Sequence, residues 1–278
     1  MTRYAVVGNP ADHSKSPEIH ARFAAQTTED VDYSAVTLEP ESFERWVSEF
    51  FAAGGGGLNV TVPFKERAFA LCEERSPRAQ RAGAVNTLYL DATGRLSGDN
   101  TDGVGLLRDI VINNNFPVAE RKVLVLGAGG AVRGVLAVLV DALPAEIKIA
   151  NRTLARAHAL SREFHSLFPV SVAAYDELHQ QFDLIINGTS ASLNGQVPPL
   201  PDTVIARGCC CYDMMYSDRD TPFVEWARNH DAALILDGIG MLVEQAAESF
   251  AIWRGKRPDT APVIEALRKH GVGGGGGG

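Results

Sequence analysis

The sequence has no run of 18 apolar residues, no C-x-x-C pair, no internal repeat and no strong excess of either charge. Each of these absences excludes a class of protein. Without a long apolar run, no segment is expected to span a bilayer. The opening MTRYAVVGNP lacks the apolar core of a secretory leader, so none is expected. Lys and Arg number 26 against 34 Asp and Glu, a formal charge of −8, which argues against a general nucleic-acid binder and against an anionic membrane surface. The four cysteines, Cys72 and the run Cys209, Cys210, Cys211, have neither zinc-knuckle nor redox spacing, and no metal site is expected. Three adjacent cysteines in an apolar run read as a buried strand, where a thiol behaves as a small hydrophobe. Reduced thiols fit the cytoplasm.

What is present is apolar residue, 45% of 278, enough for about two domains with real cores. Short apolar runs alternate with amphipathic segments. Strands are expected at 4–7, 32–38, 57–62, 84–90 and 95–99, the last two forming a hairpin that turns at Asp91–Gly94. Helices are expected at 17–26, with Ser16 as N-cap and Pro17 at the first position, and at 41–52. After residue 121 the alternation is stricter, with strands at 122–126, 146–150, 170–174, 182–187, 208–213 and 232–236 and helices between most of them, which predicts a parallel sheet. Residues 240–254 and 261–269 are helical by period. The expectation is an α/β protein of two domains, 1–101 and 102–237, followed by C-terminal helices. A Gly-rich tail at about 271–278, ending in six glycines, reads as a flexible extension without fold information.

Within VLVLGAGGAVRGV, the strand 123–126 runs into Gly127-Ala128-Gly129-Gly130 and then a helix. Such a turn lets backbone N–H groups and a helix N-terminus meet a pyrophosphate, the Rossmann-type arrangement. The match to G-x-G-x-x-G is imperfect, because Val132 stands at the third glycine. An NAD site places a carboxylate about 20 residues on, against the ribose 2′-hydroxyl. Here the next strand ends in Asn151-Arg152-Thr153, with Arg156 one turn later and no acid at the strand end. These residues can hydrogen-bond and neutralise a 2′-phosphate, which selects NADP over NAD. The plainer alternative is a helix capped by Thr153 with two solvated arginines.

The first half carries dense polar clusters. His13-Ser14-Lys15-Ser16-Pro17 sets two hydroxyls beside a helix N-terminus, a cradle for a carboxylate, although Ser16 can equally serve as a cap. In Asn59-Val60-Thr61-Val62-Pro63-Phe64-Lys65, strand alternation puts Asn59 and Thr61 on one face and Val60 and Val62 on the other, with Lys65 just past the strand end. Polar residues on alternate positions of a buried strand point to a ligand, while a lysine there is also compatible with plain solvation. Asn86 lies in the apolar AGAVNTL and Asp102 in DNTDG; their alternatives are a satisfied core amide and a helix cap.

Taken together, the segments GNPADHSKSPEIH (8–20), LNVTVPFKE (58–66), AGAVNTL (82–88), GDNTDGVGLL (98–107), VLGAGGAVRGV (125–135), NRTLARA (151–157), FDLIINGTS (182–190), CYDMMY (211–216) and DGIGMLVEQAA (237–247) resemble the shikimate/quinate dehydrogenase family, in order and across essentially the whole chain. The resemblance implies an NADP-dependent enzyme of aromatic amino-acid biosynthesis that transfers hydride reversibly between shikimate and 3-dehydroshikimate. Lys65 and Asp102 then match the family's catalytic pair. Oxidising a secondary alcohol needs a group that takes the hydroxyl proton as hydride leaves. Whether Lys65 alone or the pair is that group stays open. By the same resemblance Ser14 and Ser16 hold the substrate carboxylate. Asn59, Thr61, Asn86, Asp102 and Gln245 hold the ring hydroxyls, and Tyr216 borders the substrate. Gln245 implies that the C-terminal helices, about 240–270, complete the first domain. Gly127, Ala128, Gly129, Gly130, Ala131, Asn151, Arg152, Thr153, Arg156, Thr189, Met214 and Gly238 are implied to line NADP, in a cleft at the carboxyl ends of the strands. The chain is expected to act as a monomer or homodimer.

Three departures stand out. Pro77 replaces an acid common in the helix after Lys65, which argues against a cofactor contact there. The loop Thr189-Ser190-Ala191-Ser192 differs from the family's T-S-S-G-like segment, and Val132 replaces the third glycine. Three competing readings remain. A quinate-accepting, NAD-linked relative is disfavoured by both serines of S-K-S and by the two arginines. A binding protein without catalysis is disfavoured by the intact Lys–Asp pair. A methylenetetrahydrofolate-type dehydrogenase is disfavoured by the serine cluster and N-V-T-V-P-F-K.

Overall fold

The run Tyr4–Val7 is buried on both faces because it forms the middle of a central strand, β1 (Thr2–Gly8). The computed structural model describes residues 1–217 and 219–272. After β1 come α1 (Ser16–Thr27), β2 (Val31–Thr37), α2 (Phe43–Ala52), β3 (Gly57–Val60), α3 (Lys65–Leu71), β4 (Glu74–Arg75), α4 (Pro77–Ala82), β5 (Thr87–Leu90) and β6 (Leu96–Asp99). Their sheet has the order β2-β1-β3-β5-β6-β4. β1 pairs in parallel with β2 and β3, while β3–β5 and β5–β6 are antiparallel. The β5–β6 hairpin closes on Asp91, whose Oδ1 accepts the Thr93 and Arg95 N–H groups, with Gly94 at φ +85°. One core joins Val7, Leu58 and Phe64 to Phe43 and Val47 of α2, each large apolar side chain worth about 1.5–3 kcal/mol on burial.

α5 (Asp102–Arg108) and a π-helical turn, Asp109–Asn113, lead into β7 (Lys122–Leu126), α6 (Gly130–Leu139), β8 (Glu146–Ala150), α7 (Leu154–Phe164), β9 (Val170–Ala173), β10 (Phe182–Asn187), β11 (Ile205–Asp213), α8 (Pro222–Asn229) and β12 (Leu234–Leu236). This second sheet is parallel throughout, in the order β12-β11-β10-β7-β8-β9. The order reverses beside β7, the switch point of a doubly wound, Rossmann-type fold, where ligands meet the carboxyl ends of the strands. Cys209, Cys210 and Cys211 lie fully buried in β11, as their apolar context predicts. The chain ends in α9 (Ile239–Arg254) and α10 (Ala261–Val272). Among the described residues no helix is long and apolar enough to cross a membrane.

Two compact units result: Met1–Gly105 with Val243–Val263, and Leu106–Leu242 with the chain from Ile264 onward. Most of α9 thus belongs to the first unit, whereas α10 belongs to the second from Ile264, unlike the expectation that both helices go with the first. Of the expected tail, Gly271 and Val272 are in α10; residues 273–278 lie outside the described residues.

Several local expectations are corrected. Ser16 is not the cap of α1. Lys15 holds that position, and Ser16, the first helical residue, donates its N–H to Ser14 Oγ at 3.2 Å. β3 stops at Val60, because Thr61 turns the chain by accepting the Phe64 N–H at 2.9 Å. Val62 is therefore 68% exposed rather than paired with Val60 on a buried face. Asn86 precedes β5 instead of lying within a strand from residue 84, since Gly83 ends α4 in a left-handed turn. Pro77 does not sit in the helix that follows Lys65. It opens a separate helix, α4, behind Ser76, whose hydroxyl accepts the Ala79 N–H.

His20 of α1 is wholly buried, stacked on Tyr33 at 4.1 Å and flanked by Phe23, Phe250 and Trp253. Neither ring nitrogen meets a partner in good hydrogen-bond geometry among the described residues, and burial, opposed in part by the neighbouring Asn59 side chain, lowers its pKa from 6.5 to about 3. The unfolded chain therefore protonates first. Stability is full above pH 6.5 and is lost as the pH falls from 6.5 toward 3. Between pH 8 and pH 5 this one group removes about 2 kcal/mol. Urea unfolding at those two pH values is expected to show a drop smaller by about that amount in His20→Phe than in the parent; equal drops would free His20 of the effect.

Candidate active site and dinucleotide pocket

Lys65 is the first residue of α3 and Asp102 the first of α5. The turn at Thr61–Phe64 and the end of β6 bring them together, with Lys65 Nζ 2.6 Å from Asp102 Oδ2. The Asp102 carboxylate is almost fully covered (7% exposed), while the Lys65 side chain keeps 27% exposure and so can reach a ligand. Asn86 fixes the other carboxylate oxygen, its Nδ2 donating to Asp102 Oδ1 at 2.9 Å and to Thr101 Oγ1 at 2.9 Å. Asn86 Oδ1 accepts from the Thr101 N–H and the Thr87 hydroxyl, both at 2.9 Å. Gln245 of α9 approaches the same Nδ2 through its Oε1 at 3.2 Å.

Asn59 joins this group, donating to Ser249 Oγ at 3.0 Å while its Oδ1 accepts from the Tyr33 hydroxyl at 2.7 Å. Ser14, Ser16 and Thr61 lie in the same unit and are half-buried or buried. Tyr216 lies in the second unit, where burial raises its pKa. Sequence reasoning missed Thr87, Thr101 and Ser249, three buried hydroxyls that back Asn59 and Asn86. One signal was available: Ser249 follows Gln245 by four residues and so shares its helix face.

The second unit holds a cavity of about 520 Å³ at the carboxyl ends of its strands. Gly127–Ala131 form one wall. Gly127 has φ +106°, and a Cβ on Gly129 or Gly130 would meet no protein atom within 4 Å, so the turn leaves open space before the N-terminus of α6. Its first backbone N–H groups lack intrahelical acceptors and are suited to a pyrophosphate. Val132, the departure from the fingerprint, is absorbed by a glycine on the strand side, since a Cβ on Gly188 would lie 2.5 Å from Val132 Cγ2.

Asn151, Arg152, Thr153 and Arg156 form another wall. Thr153 occupies the N-cap position of α7 but makes no side-chain cap bond. Arg152 and Arg156 are exposed, neither guanidinium has a hydrogen bond or ion pair among the described residues, and none of the described lining residues is a carboxylate. A glycine cradle with two unpaired guanidiniums fits a 2′-phosphorylated dinucleotide.

Thr189 lines the cavity, its hydroxyl committed to Asn187 Oδ1 at 2.8 Å. Met214 and Gly238 are not among the lining residues. Met214 Sδ lies behind Gly188, and Gly238 packs against the Met214 carbonyl. A hub that sequence reasoning missed organises these loops. Buried Asp213 accepts from Asn187 Nδ2 (3.1 Å), Ser192 Oγ (3.0 Å), Thr221 Oγ1 (2.5 Å) and the Met215 N–H (3.1 Å). Burial raises its pKa against those four donors. The available signal was a polar residue closing each of two apolar strands, Asn187 after LII and Asp213 after CCY.

The sequence profile described as "Shikimate dehydrogenase substrate binding domain" matches residues 6–88. "Shikimate / quinate 5-dehydrogenase" matches 111–194, and "Shikimate 5'-dehydrogenase C-terminal domain" matches 238–268. The "Shikimate dehydrogenase (NADP(+))" of Alkalilimnicola ehrlichii is 59% identical over 96% of this chain and 98% of its own length. That of Hahella chejuensis is 56% identical over 97% and 99%. Among solved structures, the Ael1 enzyme from Pseudomonas putida matches with TM-score 0.92 and 47% identity over 96% of this chain and 98% of its own. Shikimate 5-dehydrogenase from Thermus thermophilus, in complex with NADP(H) and shikimate, matches with TM-score 0.86 and 34% identity over 97% and 99%. The chain belongs to the shikimate dehydrogenase family.

Replacing Asp213 with alanine leaves the Asn187 amide, two hydroxyls and the Met215 N–H without their acceptor. Urea unfolding of Asp213→Ala is expected to show a loss of at least about 2 kcal/mol, at about 1–3 kcal/mol per unpaired buried group, with faster amide exchange at 189–192 and 214–217. Unchanged exchange there would remove Asp213 as the organiser of those loops.

Proposed function

We propose that this chain is an NADP-dependent oxidoreductase that interconverts shikimate and 3-dehydroshikimate in aromatic amino-acid biosynthesis. The observation that carries the reading is the Lys65–Asp102 pair at 2.6 Å, held by Asn86, in a chain whose dinucleotide cavity is lined, among the described residues, by two unpaired arginines and no acid. The NADP-dependent relatives support it.

In the forward direction the substrate's C3 alcohol loses a hydride from carbon and a proton from oxygen. NADP, when bound, supplies the hydride acceptor. Lys65 Nζ and Asp102 Oδ2 receive and share the hydroxyl proton, then return it in the reverse reaction. Asp102 stays aligned because its second oxygen is already bonded to Asn86. Ser14 and Ser16 hold the substrate carboxylate. Asn59, Thr61, Asn86 and Gln245 hold the ring hydroxyls, and Tyr216 borders them. Gly127–Ala131 hold the pyrophosphate, and Asn151, Arg152, Thr153 and Arg156 read the 2′-phosphate. Thr189, Met214 and Gly238 shape the remaining cofactor surface. The cytoplasm is the proposed setting, consistent with four unpaired, buried cysteines.

Initial rates at 340 nm with shikimate or quinate, each with NADP or NAD, test the reading. The shikimate–NADP combination is expected to be fastest, and a faster quinate or NAD combination would overturn the assignment. Lys65→Ala is expected to lower turnover at least about a hundredfold with shikimate binding largely retained; near-parental turnover would remove Lys65 from the chemistry. Arg152→Ala is expected to raise KM for NADP far more than for NAD, and equal changes would mean that Arg152 does not read the 2′-phosphate.

A further inference from the structure

We propose that the ring of Tyr175 is the surface on which the adenine of the bound dinucleotide stacks. The inference rests on the NADP reading above and adds the residue that grips the purine. Among the described residues that line the cavity, Tyr175 is the one aromatic side chain. It stands two residues past the end of β9, the strand next to β8 in the sheet. The end of β8 carries Asn151-Arg152-Thr153, the segment placed to read the 2′ position of the ribose. In a dinucleotide site of this topology that ribose is read at the end of the second strand. The purine attached to the same sugar must therefore lie against whatever flanks that strand end, and here it is the turn that carries Tyr175.

The ring is also held as a stacking surface needs to be. Its short helical turn, Tyr175–Glu177, is pinned by Glu177, whose carboxylate accepts the Ala174 N–H at 2.9 Å and whose own N–H reaches the Ala174 carbonyl at 3.1 Å. Part of the ring packs against the core that includes Ala173, Leu178 and Phe182, and the remainder stays accessible from the cavity. A tyrosine fixed this way loses little further freedom when a ligand covers it. Burial raises the phenol's pKa while the positive charge of Arg152 pulls it down, which fits a ring near the phosphate-reading arginine.

Calorimetric titration of the full chain with NADP, NAD, adenosine 2′,5′-bisphosphate and nicotinamide mononucleotide tests the proposal without recourse to turnover. Tyr175→Leu keeps an apolar anchor on the core and removes the aromatic face; Tyr175→Phe keeps the face and removes the hydroxyl. Tyr175→Leu is expected to weaken the three adenine-containing ligands alike, by about tenfold, and to leave the mononucleotide unchanged. Tyr175→Phe is expected to stay within about twofold of the parent for all four. Parental affinity for NADP in Tyr175→Leu overturns the proposal and leaves the NADP reading standing. So does a loss confined to the two 2′-phosphorylated ligands, or an equal loss in Tyr175→Phe, since either outcome makes the hydroxyl rather than the ring the contact. A parent chain that binds none of the adenine ligands overturns the dinucleotide reading itself and the stacking role with it.

Discussion

The side-chain amide of Asn86 determines how the acid of the first unit is oriented. Its nitrogen faces Asp102 Oδ1 and Thr101 Oγ1, and its oxygen faces the Thr101 N–H and the Thr87 hydroxyl. Turning the amide over would set oxygen against carboxylate and nitrogen against N–H, leaving buried groups unpaired at about 1–3 kcal/mol each. Because Asn86, Thr87, Thr101 and Asp102 are buried, that difference is only weakly screened. One orientation therefore survives, Asp102 Oδ1 is occupied, and Oδ2 is left for Lys65. The Asp102 carboxylate, which can only accept, and the Thr101 N–H, which can only donate, make the choice unambiguous; the hydroxyls of Thr87, Thr101 and Ser249 adapt to it, and Asn59 is tied into the same set through Ser249.

The second unit uses the same device at the ends of two neighbouring strands. Asn187 closes β10 and Asp213 closes β11, and the pair is bonded side chain to side chain. Asn187 takes Thr189 in the loop after β10, while Asp213 takes Ser192 of that same loop together with Met215 and Thr221 after β11. The cavity beside them depends on the opposite principle, a lack of internal partners. A strand end with Asn-Arg-Thr in place of an acid leaves Arg152 and Arg156 without a counter-charge among the described residues, so a ligand's phosphate has no ion pair there to displace. Binding there avoids the desolvation of an existing pair, which makes a buried charge exchange costly elsewhere.

The parallel sheet of the second unit was legible in the sequence because period, length and spacing agreed over six strands. The glycine turn and the arginines were legible as chemistry, whereas Lys65 and Asp102 stood out as a pair only through the family resemblance. What could not be read came from contacts distant in the chain. β3 looked longer than it is because Val62 continues an alternation that the backbone abandons at Thr61. Ser16 looked like a cap because serine before proline so often is one, yet Ser14 supplies the local hydroxyl acceptor. Pro77 read as a replaced acid within the helix after Lys65 and is the first residue of another helix. Ser249, 190 residues from Asn59, carried no local sign of its partner. The compensation of Val132 by Gly188 is similarly invisible until β10 and α6 are seen side by side.

The buried cysteines give each unit its own reporter. Cys72 lies in the first unit, where burial pushes its pKa up to about 12, and Cys210 lies in the second, where burial also pushes it up. Thiol reagents attack thiolates, and both groups stay protonated and shielded in the closed fold. Labelling then proceeds at the rate at which the surrounding strands and helices open, which is a local rather than a global quantity. Residue-resolved alkylation therefore times the opening of the substrate half and the nucleotide half separately, within one molecule and without an engineered probe.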